Sequence, residues 1–320
     1  MKILITGVAG FIGSNLADAL LNMGAAPGAP RLLGLKIIGI DDLSYGVLEQ
    51  VPAGVEFHRQ DIRSREIYAL FKGVDYVFHL AAKNCISDCQ TDPVATADIN
   101  IAGTANVFAA GRLAGVKKVV YAESSAVYED SSLFPTPESE GRPQSFYAIS
   151  KYCAHMIAGA YKRHFGLNST ALRYFNVYGP RQDYRRSVPP VMSAFIINLL
   201  KGERSKIYGT GGKLRDFVHV NDVNDFHVMC MLDKRTDNQC FNIGNGVNYS
   251  INDIYGIIKR LLGIDMEPMY SRDLPGEAEK TLADITKARS LGWGPKVRIE
   301  DGLRGMIEYI KNQICLGNIA

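Results

Sequence analysis

Two stretches of this sequence carry side chains whose spacing suits proton transfer. Tyr147-Ala-Ile-Ser-Lys151 sets a phenol and an ammonium four residues apart, on one face of a helix. A free tyrosine titrates near pH ~10, so its use as a base at pH 7 costs about 4 kcal/mol. An ammonium ~4 Å away at an effective dielectric of ~20 offsets about 4 kcal/mol, and a cationic ring bound nearby adds to that. The second stretch is Ala122-Glu-Ser-Ser-Ala-Val-Tyr128, at the end of an apolar run. Ser124 there suits a hydrogen bond to a reacting hydroxyl and a shared proton with Tyr147. Alone, a Y-x-x-x-K pair arises by chance on many amphipathic helices, and a serine at a strand end often caps a turn. The rest of the chain gives the pair its weight.

The element that must present a reaction partner to these groups is the first fifteen residues. Residues 2–6 form a short apolar run, and Gly7, Gly10 and Gly13 follow at three-residue spacing. Residues 11–23 then carry helix-period apolar positions. Strand, glycine turn and helix N-terminus together cradle a pyrophosphate. A second apolar run ends in Asp41-Asp42. A carboxylate there accepts from adenosine ribose hydroxyls and repels a 2′-phosphate, which points to NAD rather than NADP. The gap to Asp41 is longer than usual because of a Gly/Pro-rich connector at 24–31, read as a surface loop.

Strand and helix patterns alternate from there, the mark of an α/β fold with a Rossmann-type doubly wound parallel sheet. Strands are expected at 56–59, 75–82, 117–124 and 168–174, with helices from Ser64 to Phe71, at 92–113 and at 145–165. Asp61 and Ile62 suit an adenine pocket, and Ala81-Ala82 lets a flat cofactor lie against backbone. Lys83 and Asn84 follow where a nicotinamide ribose would sit, and Asn100 lies within the 92–113 helix. Beyond Asn176 a polar loop gives way to short strands (205–208, 217–219, 240–243) and helices (190–201, 223–232, 251–262, 299–314). The expected division is a cofactor domain at 1–175 and a smaller α/β substrate domain at 176–320, with some segments returning to the main sheet.

Composition excludes several classes. A length of 320 residues allows a large core and two lobes, and the net charge of +3 without a basic run argues against nucleic acid. No apolar stretch approaches the ~18 residues of a membrane span, and a strand starting at Lys2 leaves no room for a signal peptide. The six cysteines lack paired C-x-x-C spacing, so no metal is expected; free thiols in a reducing cytoplasm are the better reading.

Taken in order, these residues resemble the NAD-dependent sugar-nucleotide epimerase/dehydratase family of extended short-chain dehydrogenases/reductases, in its UDP-galactose 4-epimerase branch. The series continues through His79-Leu-Ala-Ala82, Arg173-Tyr-Phe-Asn-Val-Tyr-Gly-Pro180, Arg215-Asp-Phe-Val-His219, Asn242-Ile-Gly244 and Ala283-Asp-Ile-Thr-Lys287. The resemblance implies NAD contacts at Gly7, Gly10, Phe11, Ile12, Gly13, Asp41, Asp42, Asp61, Ile62, Leu80, Ala81, Ala82, Asn100, Tyr147, Lys151 and Tyr174. It implies substrate contacts at Lys83, Ser124, Ser125, Arg181 and Val191, with Asn176 and Arg215 on the diphosphate and Glu277 on the uridine ribose. It also implies a homodimer built from the 92–113 and 145–165 helices. Two positions depart from the pattern: Glu129 replaces a usual glycine, and Leu274 a frequent phosphate-binding arginine, for which nearby Arg272 is the candidate substitute.

The loop after the 117–124 strand separates reactions within the family. Similar dehydratases carry Thr-Asp-Glu there; this chain has Ser124, Ser125 and Ala126. Elimination of water needs a carboxyl to protonate the leaving hydroxyl and a second base. Neither is at these positions, and strand alternation points Glu123 away from Ser124. The expectation is therefore a UDP-sugar 4-epimerase. By the same resemblance Thr281, two before Ala283, shapes the sugar pocket; it is small enough for UDP-N-acetylhexosamines and also compatible with plain hexoses or a uronate. Arg185 and Arg186 could pair with a uronate carboxylate, though contact with phosphate or solvent is the simpler reading. The alternatives are a related dehydratase or 4-keto reductase, a UDP-glucuronate 4-epimerase, and a non-catalytic NAD-binding regulator.

Overall fold

The computed structural model describes residues 1–23, 34–185, 189–273 and 278–319. The 24–31 connector, Arg186, Leu274 and Glu277 lie outside them. In chain order the first lobe holds β1 (Lys2–Thr6), α1 (Phe11–Leu21), β2 (Lys36–Asp41), β3 (Val55–Arg59) and β4 (Tyr76–His79). Short helices α2 (Ile86–Thr91) and α3 (Pro93–Ala97) precede α4 (Thr104–Ala114), β5 (Lys118–Ser124), α5 (Phe146–Phe165) and β6 (Ser169–Tyr174). The remainder comprises β7 (Asn176–Tyr178), α6 (Val191–Leu200), β8 (Lys206–Tyr208), β9 (Leu214–His219) and α7 (Val220–Leu232). After these come β10 (Gln239–Ile243), β11 (Asn248–Ser250), α8 (Ile251–Leu262), β12 (Met269–Ser271), α9 (Thr286–Ser290) and α10 (Ile299–Cys315).

Seven strands form one parallel sheet in the order β10-β6-β5-β4-β1-β2-β3. Runs such as Ile3-Leu4-Ile5 are wholly buried, as a strand covered on both faces requires. Chain order reverses between β1 and β4, and such a switch point opens a crevice at the strand C-termini. Apolar residues of α1 and α7 cover one side of the sheet; α4 and α5 cover the other.

Two expectations needed revision. The 64–71 segment is a 3-10 run (Arg65–Phe71), whose Ser64 Oγ accepts from Glu66 N at 3.1 Å. The 92–113 helix is broken by a π segment, Asp98–Gly103, between α3 and α4. A wide π turn accommodates an extra residue, and Asn100 within it is buried. The 240–243 strand is a segment that returns to the large sheet, since β10 pairs with β6. The second lobe is then β7, β9 and β11 in one small sheet, the β8–β12 pair, and a core of Phe195, Ile196, Ile254, Ile258, Leu303 and Met306 from α6, α8 and α10.

Candidate active site

The glycine turn is shaped by close backbone packing. Gly7 has φ +74°, and a Cβ there would lie 2.7 Å from Ala81 N; one on Gly13 would lie 2.1 Å from Gly7 O. Asp41 then locks the turn, accepting from Ala9 N at 3.0 Å and Leu43 N at 2.9 Å. Burial raises the pKa of Asp41, and these two N–H groups oppose that. Gly10 caps α1 without a side chain, so the first N–H groups of the helix stay available.

Above this turn lies a cleft lined by Gly7, Gly10, Phe11, Ile12, Gly13, Asp41, Asp42, Asp61, Ile62, Leu80, Ala81, Ala82, Lys83 and Tyr174. Apart from Lys83 these are expected cofactor residues. Asn84 lines the cleft too, as do Ser44, Tyr45, Gly46, Gln60, Ile99, Ala122 and Asp183, which the motifs did not indicate. Three expected residues are missing from the lining. Tyr147 and Lys151 stand on α5, and Asn100 is withdrawn from the cleft. The Asn100 amide accepts from Lys83 N at 2.8 Å and donates to Lys83 O and Ser150 Oγ, each at 2.9 Å. Ser150 Oγ donates in turn to Tyr147 O at 2.8 Å. Asn100 therefore ties the cleft wall to the helix bearing Tyr147, with both of its amide hydrogens engaged. The Asp61 carboxylate, also lining the cleft, is held by Arg63 at 2.6–3.0 Å, which lowers its pKa.

The cleft fits NAD. Each Asp41 oxygen keeps a lone pair for a ribose hydroxyl, and the glycine backbone leaves no Cβ between the turn and a pyrophosphate.

Ser124 ends β5, and its Oγ accepts from Ala126 N at 3.2 Å, capping the turn Ser125–Tyr128. That bond uses a lone pair and leaves the hydroxyl proton for donation. Tyr147 is half-buried and Lys151 buried on α5, whose start is capped by Ser145 Oγ accepting from Ala148 N. Burial lowers the pKa of Lys151 to about 8, against the raising influence of Glu123. Glu123 does point away from Ser124. It pairs in register with Arg173, and Arg173 Nε donates to its carboxylate.

The departure at Glu129 has a structural role. Its carboxylate accepts from Gln144 N (2.8 Å), Ser145 N (2.7 Å) and Ser145 Oγ (2.6 Å). It thereby clamps the Ser124 loop to the N-terminus of α5, two residues before Tyr147.

In the second lobe, β7, β9 and the 281 segment converge. Asn176 Nδ2 donates to Asp216 O at 3.0 Å and to Thr281 Oγ1 at 3.2 Å, and Asp216 N donates to the same hydroxyl at 3.0 Å. Both amide hydrogens of Asn176 are thus engaged, leaving its oxygen open. A phosphate needs a donor, so the expected diphosphate role of Asn176 does not fit this arrangement. Arg215 lies beside it on β9. Arg181 pairs with Asp18 of α1 instead of lining the cleft. Val191 starts α6 and packs against the lobe core. Arg185 Nη2 donates to Tyr45 O at 2.7 Å, tying the polar loop to the cleft rim. Arg272 is exposed.

Comparison with known proteins agrees with this geometry. Residues 3–244 match the model of the NAD dependent epimerase/dehydratase family. The chain belongs to that family. Its relatives include the UDP-glucose 4-epimerase of Mycolicibacterium smegmatis, 34% identical over 98% of this chain and 99% of the relative. Among solved structures, this family member resembles the Thermotoga maritima UDP-glucose 4-epimerase with UDP-glucose (36% identity, TM-score 0.91, 98% and 100% of the two chains). It also resembles the Thermus thermophilus UDP-glucose 4-epimerase complexed with NAD (30% identity, TM-score 0.87, 97% and 99%).

Proposed function

We propose that this family member is an NAD-dependent 4-epimerase of a UDP-sugar, acting on UDP-glucose/galactose or UDP-GlcNAc/GalNAc. One observation carries the choice of reaction. Positions 124–126 hold no carboxyl, and the adjacent acid, Glu123, is buried against Arg173 on the opposite face of the strand. Water elimination therefore lacks its acid and base at those positions, whereas C4 inversion needs a single proton carrier.

Tyr147 takes the proton from the C4 hydroxyl and later returns it. Ser124 donates its hydroxyl hydrogen bond to the same C4 oxygen as Tyr147 removes the proton. Lys151 holds the phenolate by its charge. When bound, NAD supplies a reversible acceptor for the C4 hydride, so there is no net oxidation. Gly7, Gly10, Gly13 and the α1 N-terminus hold its pyrophosphate, and Asp41 its adenosine ribose. Arg215 binds the substrate diphosphate as a multidentate donor. Asn176 offers its amide oxygen to a sugar hydroxyl. Thr281, half-buried beside it, leaves room for a 2-N-acetyl group.

The deciding experiment incubates the purified protein with a panel of UDP-hexoses and UDP-N-acetylhexosamines and scores C4 inversion. Accumulation of a dehydrated or 4-keto product, or stoichiometric consumption of added NADH, would overturn the epimerase reading.

We also infer a homodimer through α4 and α5. Ile149 and Met156 on α5 and Leu113 on α4 are exposed apolar side chains, and light scattering should return twice the chain mass. No helix among the described residues is long and apolar enough to cross a membrane. All six cysteines are unpaired, which suits a cytoplasmic enzyme.

A further inference from the structure

Next to the reaction site lies a buried charged cluster that the mechanism above leaves unused. Glu123 is the residue before Ser124, and its side chain is 0% exposed. Register with β6 puts Glu123 and Arg173 on the sheet face covered by α5. Arg173 Nε donates to one carboxylate oxygen, while Arg173 Nη1 donates to Tyr128 Oη at 3.0 Å and Glu138 O at 2.6 Å. The other oxygen, Oε1, is buried with no well-aligned hydrogen bond. It faces His155 Nδ1 at 3.2 Å.

The register of α5 gives this position its meaning. Tyr147, Lys151 and His155 follow one another at four-residue steps, so they form a single row down one helix face. His155 at the foot of the row touches Glu123, and Lys151 stands one turn, about 5.4 Å, above it. We propose that Glu123 is a positioning residue for the reaction: an anion fixed by Arg173 whose unbonded oxygen serves as the counter-charge of the Lys151 ammonium. This rests on the reading of Tyr147 and Lys151 as the acid–base pair.

Charge accounting supports it. Lys151 is buried, and a buried ammonium needs a compensating charge. The titratable groups that influence Lys151 are Glu123 from β5, Cys89 from α2 and His79 from β4. Burial pushes the Cys89 thiol up and holds His79 neutral, its pKa lowered to about 3. Around Glu123 itself stand Arg173, His155, Tyr121, Tyr128, Glu138 and Cys240; burial raises the phenols of Tyr121 and Tyr128 and the thiol of Cys240. Of the groups influencing Lys151, Glu123 is the one carboxylate. Glu123, His155 and Cys240 also lie close enough to hold a cation, but a divalent ion there would sit against the Arg173 guanidinium. The arrangement suits an internal counter-charge better.

The test compares Glu123→Gln with the parent and with Lys151→Met, following kcat and KM across pH together with melting and bound NAD. The expected result for Glu123→Gln is an alkaline limb of kcat displaced toward lower pH by about one unit or more, with KM within about twofold of parent. Glu123→Asp should recover part of the displacement. A variant with lowered melting temperature but an unmoved pH profile would reduce Glu123 to a packing role and overturn the proposal. If Glu123→Gln fails to fold, the double variant E123Q/R173M avoids leaving Arg173 unpaired; because a cation is lost with the anion, a smaller displacement in the same direction is expected, and none would overturn the proposal. An inactive Lys151→Met with a superimposable Glu123→Gln profile sinks this inference alone. A fully active Lys151→Met sinks the acid–base reading beneath it.

Discussion

Replacing Glu129 by alanine removes an acceptor shared by two backbone N–H groups and one hydroxyl, at 2.6–2.8 Å. Hydrogen bonds to a charged acceptor are worth ~1.5–3 kcal/mol each when buried. Glu129 is half-buried, and water re-solvates part of what it leaves, so the total loss is about 3 kcal/mol. For 320 residues the entropy of unfolding is about 0.7 kcal/mol per degree, so the melting temperature should fall by about 4 °C. Freed from its clamp, the first turn of α5 lets Tyr147 drift from Ser124, so kcat should fall more than KM rises. Glutamine keeps one carbonyl acceptor and should lose about half as much. Calorimetry with steady-state epimerisation measures both effects. An alanine variant melting within about 1 °C of parent, with parental kcat, would show that the clamp carries neither stability nor alignment.

Tyr147→Phe should keep NAD bound and lose turnover, read by absorbance of the released nucleotide and by sugar analysis; full activity would remove the base assignment. Parental kcat should decline as pH rises through about 8, because Lys151 is charged below its lowered pKa and neutral above it. A profile flat to pH 10 contradicts this. Gly7→Ala combines a positive φ with a Cβ 2.7 Å from Ala81 N, and should purify with far less NAD than parent. Thr281→Tyr should harm N-acetylated substrates while sparing UDP-hexoses. Thr281→Val keeps the size but loses the acceptor for Asn176 and Asp216, so it should affect both sugars alike.

Much of the cofactor half was readable because its signals are local. The apolar run at 2–6, the glycine spacing and the acid closing β2 lie within short windows, and the structure gathers them around one cleft. The π break was not readable, because amphipathic periodicity barely changes across one wide turn. Three-residue strands such as β7, β11 and β12 are too short to show alternation. The Glu123–Arg173–His155 cluster draws on two strands and a helix, so it appears only once register is known. Alternation alone did give the direction of Glu123. Asn176 shows the limit of carrying a role across by motif: Thr281 and Asp216 engage both of its amide hydrogens here, and neither neighbour adjoins it in sequence.

The pairing of β10 with β6 bears on how this molecule could be cut or recombined. A fragment stopped after residue 175 would leave the ladder of β6 open along its outer side, where Phe241 and Ile243 now sit. Such a raw margin recruits foreign strands. The nucleotide-holding half is thus not a detachable module: folding must wait for a piece of chain some sixty residues downstream, and gene fusions at the apparent lobe boundary should yield aggregates.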